Sequence, residues 1–426
     1  MRVTCCVSNR RSLLADRGHF MADENIRITR QDTMASDEDR FHRFRLIGWW
    51  DQDKLANAKA LVVGAGALGN EIIKNLALLG FGHVLVLDMD RIENSNLSRS
   101  VLYRASDNGK PKSEVAARSA KEIYPEMQAR HLVGNVIHDV GMGVFRWADV
   151  IFGGLDNREA RLAINRHCFR VNRPWVDGAI EQIQGMARMF VPDGPCYECT
   201  MSETDWQLLQ RRRSCNLLSR EEMEGGKTPT TPTISSIIAG VQCQEAVKFL
   251  HGLDGLAGKG WVFQGLTGDS WAVEYQRKDE CYSHDLLDEI VPLDLSVKHA
   301  SPRQMLQIAE DVLGPGAKIE FARDMIEKFV CPKCAREEAV FASISNIPLS
   351  KAFCPDCEGT RRDVVTFYKV QGTEPFVDQP LSAIGVPLFD IVIARNKDRA
   401  IGLELSADSA EVLGSLAASD ADLELI

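Results

Sequence analysis

From Leu61 onward, short apolar runs alternate with stretches of helical periodicity. Residues 61–63 (LVV), 83–87 (HVLVL), 148–154 (ADVIFGG), 174–180 (PWVDGAI) and 184–191 (QGMARMFV) are nearly continuous apolar segments, the pattern of strands buried on both faces. Residues 129–136 add another strand. Between them, apolar positions recur every three or four residues in four places. One follows Gly69, and one spans 111–125, where Pro111 suits a first turn and Pro125 ends the pattern. The others run from Asn157 to about residue 170 and over 234–252, with Ile234, Ile237, Ile238 and Val241 at core spacing. Alternating strands and helices predict an α/β fold, a Rossmann-like, doubly wound, mostly parallel sheet whose ligands bind beyond the carboxyl ends of the strands. Two further strands, 259–266 and 270–277, close this part.

The flanks read differently. Residues 37–53 predict an amphipathic helix with Phe41, Phe44 and Trp49 turned inward. Beyond Val291 come a polar segment, a helix over 301–314, a cysteine-rich stretch, and strand-like 364–370, 390–395 and 400–405, together a small β-rich module. From Gly402 on there are six acidic side chains and no basic ones, the composition of a solvated tail. The expected domains are an N-terminal extension over 1–35, the α/β domain over 36–288 with a crossover loop at about 200–230, and a C-terminal module over 289–426.

The first strand runs into Gly64-Ala65-Gly66-Ala67-Leu68-Gly69 and then a helix. Small residues there let backbone N–H groups approach an anion at a helix N-terminus. The second strand delivers Asp88, placed to accept hydrogen bonds from a ribose. With nothing more, this pattern would read as a nicotinamide site. Beyond Asp88, however, lie Asp90, Asn96 and Arg99, then Lys112 at a helix start, then Asp156 and Asn157 after the fourth strand. A triphosphate accounts for that set: Arg99 as a fork for phosphate oxygens, Lys112 as a point charge, Asn96 as a further phosphate contact, Asp156 for a magnesium ion. Any one of these charges alone would pass for an exposed side chain.

Twelve cysteines in a chain with no secretory signal point to metal or catalysis before disulfides. Cys331-Pro-Lys-Cys334 and Cys354-Pro-Asp-Cys357 form a zinc-ribbon pattern, a closed Cys₄ site of structural type. Cys168 and Cys243 sit in apolar helices as small core residues. Cys215 follows Arg211-Arg212-Arg213 and precedes a polar loop; neighbouring guanidinium groups favour a thiolate there.

The order DxDxIExSNLxR, KxK and GxDNxxxR (Asp156, Asn157, Arg161) resembles the adenylation domain of ThiF/MoeB-type and ubiquitin-activating enzymes over roughly residues 40–285. The resemblance implies attack by a protein carboxylate on the α-phosphate of ATP, with Mg²⁺ as cofactor and an acyl adenylate as product. It implies a ubiquitin-like or sulfur-carrier β-grasp protein as partner, and a homodimer in which an arginine near the N-terminus, best matched by Arg43, reaches the partner subunit's phosphates; a solvated Arg43 is the plainer alternative. It pairs Cys196 and Cys199 with Cys281 and His284 as a second zinc site, the alternative being a His284 that binds nothing. It matches Cys215 to the thioester or persulfide cysteine, against an ordinary loop cysteine.

Composition narrows the rest. A net charge of −10 argues against nonspecific nucleic-acid binding. No apolar run reaches the length of a membrane span, and the first twenty residues lack a signal-like core, so a cytoplasmic protein is expected; Met21 and Met34 offer alternative starts. The leading expectation is an activating enzyme that adenylates its partner and captures it on Cys215 for a conjugating enzyme; the C-terminal module would recruit that enzyme or bind the ubiquitin-like partner, the alternative being a dimer-stabilising appendage. The rivals are a sulfur-carrier adenylyltransferase without thioester transfer and an NAD-dependent oxidoreductase with structural zinc.

Overall fold

The computed structural model describes residues 39–207, 229–342, 347 and 349–417. The chain divides into two compact units, Met1–Gly48 and Trp49–Ile426. In the first, a 3₁₀ turn spans Phe44–Leu46, the Phe41 and Phe44 rings stack at 6.0 Å, and Arg45 pairs with Asp39. Among the described residues of the expected amphipathic helix over 37–53, no α-helix forms before Gln52. Trp49 begins the second unit 41% exposed. Trp50 rather than Trp49 is the partly buried member of the pair, and both rings lie against His251.

The second unit is built on two sheets. In the larger, β1 (Lys59–Val63), β2 (His83–Asp88), β3 (Gln128–Val133), β4 (Val150–Gly153) and β5 (Trp175–Glu181) run parallel. The strands β6 (Gln184–Phe190), β7 (Lys259–Gln264) and β8 (Asp269–Glu274) continue it antiparallel. The order is β3-β2-β1-β4-β5-β6-β7-β8, so the direction of winding reverses between β1 and β4. Among its helices, α1 (Gln52–Asn57) precedes β1, and α2 (Ala67–Leu79) follows it and stops at Gly80, whose left-handed backbone (φ 83°) suits glycine. After these come α3 (Lys112–Ile123), α4 (Met142–Trp147), α5 (Arg158–Arg170) and α6 (Pro232–Leu250). Ile237, expected in the core, is 38% exposed on α6, whereas Ile234 and Ile238 are buried. No helix among the described residues is long and apolar enough to cross a membrane.

Alternate residues of β1 and β2 feed opposite layers, as a pleated strand requires. Ala60, Val62, Val84 and Val86 pack under α2, α3 and α6, while Leu61, Val63, Leu85 and Leu87 face α4 and α5. Helices do not complete that second layer. Phe389, Ile391, Ile393, Val412, Leu413 and Leu416, from the far end of the chain, belong to the same core.

Those residues come from the second sheet: β9 (Glu289–Leu293), β10 (Lys318–Val330), β11 (Glu337–Ala342), β12 (Asp363–Val370), β13 (Ile391–Arg395) and β14 (Ala400–Leu405). Two helices join it, α7 (Pro302–Leu313) and α8 (Ser409–Leu413). The strands 364–370, 390–395 and 400–405 form as expected; β9, β10 and β11 are additional. Over the described residues 402–417 the expectation of a solvated tail is overturned, because every residue of β14 is buried and Asp408 is 3% exposed; residues 418–426 lie outside the described residues. The acidic groups inside are paired. Arg146 bridges to Glu404, and Asp408 accepts from Val297 N at 3.0 Å.

The two sheets meet without slack. Gly143 N donates to Phe389 O (3.0 Å) and Met142 N to Asp390 Oδ1 (2.8 Å), so the N-terminus of α4 is capped by a carboxylate 248 residues away. A Cβ on Gly141 or Gly143 would come within 2.5 Å of the Phe389 carbonyl. Buried Arg323 pairs with Asp390 at 3.1 Å and donates to His138 O. Removing one partner of such a pair strands the other charge in the interior. Asp390→Ala is therefore expected to cost about 3–5 kcal/mol, read as a lower urea midpoint.

The same interface predicts an acid response. Burial, and then Arg323, lowers the His138 pKa to about 4, with Asp139 opposing. Burial, then Arg323, Arg170 and Arg166, pushes His167 well below its usual range too. Unfolded histidine titrates near 6.5, so between about pH 6.5 and 4 the unfolded chain binds more protons and stability falls with pH. The melting temperature is expected to drop across that window, and less steeply in His138→Gln.

Candidate functional site

The crevice lies at the reversal point, where β1 and β4 send their following turns apart. Gly64 N donates to Leu87 O (2.8 Å) and Gly154 N to Val63 O (2.9 Å), which draws the β1–α2 turn and the β4–α5 turn into direct contact. A Cβ on Gly64, at φ 93°, would sit 2.5 Å from Gly154 O, and one on Gly69 only 1.8 Å from Gly64 O. Those two glycines are demanded by packing. Gly66 is different: it is the N-cap of α2, it has no side-chain cap, and a Cβ there would meet nothing within 4 Å. The first-turn N–H groups of α2 thus open onto free space, where an anion is favoured.

Asp88 borders the turn. Its Oδ2 accepts from Ala65 N and its Oδ1 from Asp90 N, both at 2.7 Å. Burial raises its pKa, against the opposing pull of Lys112 and the two N–H groups. Lys112, the first residue of α3, pairs with Asp90 at 3.0 Å, and its backbone N–H reaches Asp90 O at 2.9 Å. Gly66, Asp88, Asp90 and Lys112 therefore share one end of the sheet. Asn96 spends its Oδ1 on Glu93 N (2.9 Å), and Arg99 donates to Ser95 O (2.7 Å); both are partly exposed on the loop after β2.

Across the crevice, Asp156 is exposed just beyond Leu155, whose side chain touches the Gly64 position. Asn157 caps α5, accepting from Ala160 N at 2.8 Å. Arg161 lies beneath, donating to Leu155 O (2.5 Å), Gly178 O (2.9 Å) and buried Asp177 (2.8 Å). It thereby supports the Asp156 loop from inside. Asp177 also takes Arg188, and the two guanidinium groups hold its carboxyl below the usual range despite complete burial. Arg188, Asp177, Asn70 and Tyr103 carry no motif, and only the structure brings them to this end of the sheet. The one trace in the sequence is a polar residue, Asn70, four positions after Gly66 on an apolar helix. Arg43 is exposed in the first unit, and Cys215 lies outside the described residues.

Both cysteine clusters assemble. In the first, Cys196 Sγ lies 3.7 Å from Cys199 Sγ and 3.5 Å from Cys281 Sγ, and His284 Nε2 lies 3.4 Å from Cys199 Sγ. In the second, Cys331, Cys334, Cys354 and Cys357 converge, with Cys334 and Cys354 at 3.8 Å. Ligands 2.3 Å from a tetrahedral zinc ion stand about 3.8 Å apart, so both sets fit that ion and are too wide for disulfides. The first cluster is braced from outside: His284 stacks on Phe169, Lys278 N donates to Cys199 Sγ at 3.4 Å, and both carboxylate oxygens of neighbouring Asp285 accept from Nη2 of Arg395 of β13 (2.7 and 2.9 Å). Cys168 and Cys243 are buried core residues, as expected.

Comparison with known proteins is consistent with this geometry. The ThiF family matches residues 39–283. The SAMP-activating enzyme E1 of Haloferax volcanii is 36% identical over 176 residues, covering 40% of this chain and 64% of that protein. The sulfur carrier protein adenylyltransferase of Thermus thermophilus is 34% identical over 170 residues, 38% of this chain and 63% of that protein. The NEDD8-activating enzyme E1 catalytic subunit of Arabidopsis thaliana is 39% identical over 163 residues, 34% of each chain. The chain thus spans less than two thirds of the length of these relatives. Escherichia coli MccB solved with ATP is similar in fold, with a TM-score of 0.50 at 23% identity over 60% of this chain and 77% of that one.

The metal geometry is directly testable. Elemental analysis of the full-length protein is expected to find about two zinc ions per chain, falling to about one in Cys281→Ser and, separately, in Cys354→Ser. A full complement in both variants would contradict the ligand sets.

Proposed function

Because the chain belongs to the ThiF family, we propose that it is an ATP-dependent adenylyltransferase that activates the C-terminal carboxylate of a small ubiquitin-like or sulfur-carrier protein and then captures the acyl group on Cys215 as a thioester. The observation that carries this reading is the convergence of Gly66, Asp88 and Lys112 on one crevice, with the Asp156 turn packed directly against the glycine turn.

In this reading, Gly64, Gly66 and Gly69 bring backbone N–H groups to the phosphates, and Asp88 accepts from the ribose with the lone pairs that the Ala65 and Asp90 amides leave. Lys112 exchanges Asp90 for a phosphate oxygen, and Arg99 leaves Ser95 O for another; Asn96 and Asn157 line the same space. Asp156 holds the magnesium ion, which neutralises charge on the triphosphate. A carboxylate oxygen of the partner attacks the α-phosphorus, the bond to the β-phosphate oxygen breaks, and pyrophosphate leaves. Positioning and charge neutralisation lower the barrier. The Cys215 thiolate then attacks the acyl carbon of the mixed anhydride and AMP departs.

The antiparallel half of the large sheet suits a protein partner. One face of β6 and β7 is covered by α6, and on the other Ala179, Met186, Val262 and Trp271 form an apolar strip, with Trp271 48% exposed. Two structural zinc ions hold the cysteine clusters, and thiol ligand sets of this kind suit the reducing cytoplasm. A homodimer in which Arg43 reaches the partner subunit's phosphates, and recruitment of a conjugating enzyme by the second sheet, belong to the same proposal. The second reading stops at the adenylate and passes sulfur, as the name of the Thermus relative suggests.

Incubation with ATP, magnesium and a small β-grasp protein, run on a nonreducing gel, is expected to give a thiol-sensitive adduct that Cys215→Ala lacks. Pyrophosphate release without an adduct in either protein would favour sulfur transfer. Arg99→Ala is expected to slow ATP–pyrophosphate exchange about 100-fold; unchanged exchange would remove Arg99 from the site.

A further inference from the structure

Behind the glycine turn lies a buried polar pair to which the reaction assigns no role. Asn70 is fully buried and Tyr103 is 4% exposed. Asn70 Nδ2 donates to Ala65 O (2.7 Å) and Gly66 O (3.0 Å), and its Oδ1 accepts from Leu102 N (2.9 Å). The Tyr103 hydroxyl donates to Ala65 O at 2.6 Å and lies 3.2 Å from Lys112 O. Ser119 of α3 ties in the same segment through Leu102 O at 3.0 Å. Two amide protons and one hydroxyl proton thus serve the carbonyls of Ala65 and Gly66, and the same hydroxyl stands within reach of the Lys112 carbonyl. Every donor is used, which is the condition under which a buried polar cluster is tolerated.

These carbonyls are not arbitrary. The peptide planes of Ala65 and Gly66 carry the N–H groups of Gly66 and Ala67, which face the open space in front of α2. A carbonyl held from behind fixes the direction of the N–H on the other side of its planar peptide. The Lys112 carbonyl belongs to the residue whose ammonium stands across the crevice. One hydroxyl therefore touches both halves of the phosphate cradle, the turn after β1 and the start of α3. A packing role alone would call for apolar side chains, because polar groups at fully buried positions are costly unless each is paired.

We propose that Asn70 and Tyr103 are positioning residues for the phosphates: together they aim the Gly66 and Ala67 N–H groups and set their spacing from Lys112. The inference rests on the nucleotide reading of the crevice. Its consequence is selective. Loss of the pair weakens binding of the triphosphate and leaves binding of the nucleoside alone, because the nucleoside does not meet the turn N–H groups or Lys112.

The test is calorimetric titration of the full-length protein with Mg-ATP and, separately, with adenosine. Tyr103→Phe removes the hydroxyl and keeps the ring; Asn70→Ser, a second variant with a donor too short to span both carbonyls, serves where the first folds poorly. Both variants are expected to bind ATP about tenfold more weakly than the parent protein, the loss of one hydrogen bond to an aligned group, with adenosine affinity unchanged. Equal weakening of ATP and adenosine, or no weakening of either, would overturn the proposal. If the parent protein binds no ATP, the nucleotide reading itself fails, a result distinct from the other two.

Discussion

The architecture depends on one backbone contact, the approach of the β1–α2 turn to the β4–α5 turn. Gly64, Gly69 and Gly154 meet there with no room for side chains. Two ladder bonds, Gly64 N to Leu87 O and Gly154 N to Val63 O, hold the contact at the carboxyl end of the sheet. From it follow the placement of Asp88 beside the turn, the opening of the α2 N-terminus, and the exposure of Asp156 opposite. Glycine is needed at these positions because the backbones themselves pack; only Gly66, with open space before it, is left for a ligand to explain. Glycines that packing demands thus separate from one that it does not within a single motif.

A second constraint is the shared core. The face of the large sheet that α4 and α5 begin to cover is completed by Phe389, Ile391, Ile393 and the helical turns after β14. The trans-cap from Asp390, the buried Arg323 and the glycines opposite Phe389 make this contact specific as well as apolar. The second sheet is therefore part of what stabilises the large sheet, and α4, which Asp390 caps, leads directly along the chain into β4, whose end carries Asp156. The first cysteine cluster reinforces the same joint through Asp285 and Arg395.

Much of this was legible from residues alone, for local reasons. Short apolar runs mark β1, β2, β4 and β5 because these central parallel strands are buried on both faces over most of their length, while β3 and the antiparallel strands β6 to β8 show weaker apolar runs. The ribbon of Cys331, Cys334, Cys354 and Cys357 is legible because metal ligands need fixed short spacings, whereas the pairing of Cys196 and Cys199 with Cys281 and His284 comes from the family resemblance. Other features rest on distant partners that a linear reading does not see. Glu404 and Asp408 look like parts of a solvated tail until Arg146 and Val297 N are found beside them. The long strand β10 carries a charge at every few positions and shows no clean alternation. Trp49 and Trp50 are indistinguishable by pattern; both rings meet His251, about 200 residues away, and only Trp50 also packs against the core of the large sheet. Asn70 and Tyr103 look unremarkable until three carbonyls surround them.

The most direct test of the central claim, that the space before α2 binds the phosphates of ATP, is the ATP affinity of Gly66→Ala measured beside its thermal stability. With φ −74° and nothing within 4 Å of a new Cβ, the variant has no steric reason to unfold. The account predicts a folded variant whose melting temperature falls by a few degrees at most, the cost of alanine at an N-cap, and ATP binding weakened at least tenfold by a methyl group placed where the phosphates approach. Unchanged ATP affinity in the folded variant would contradict it and move the nucleotide to another site.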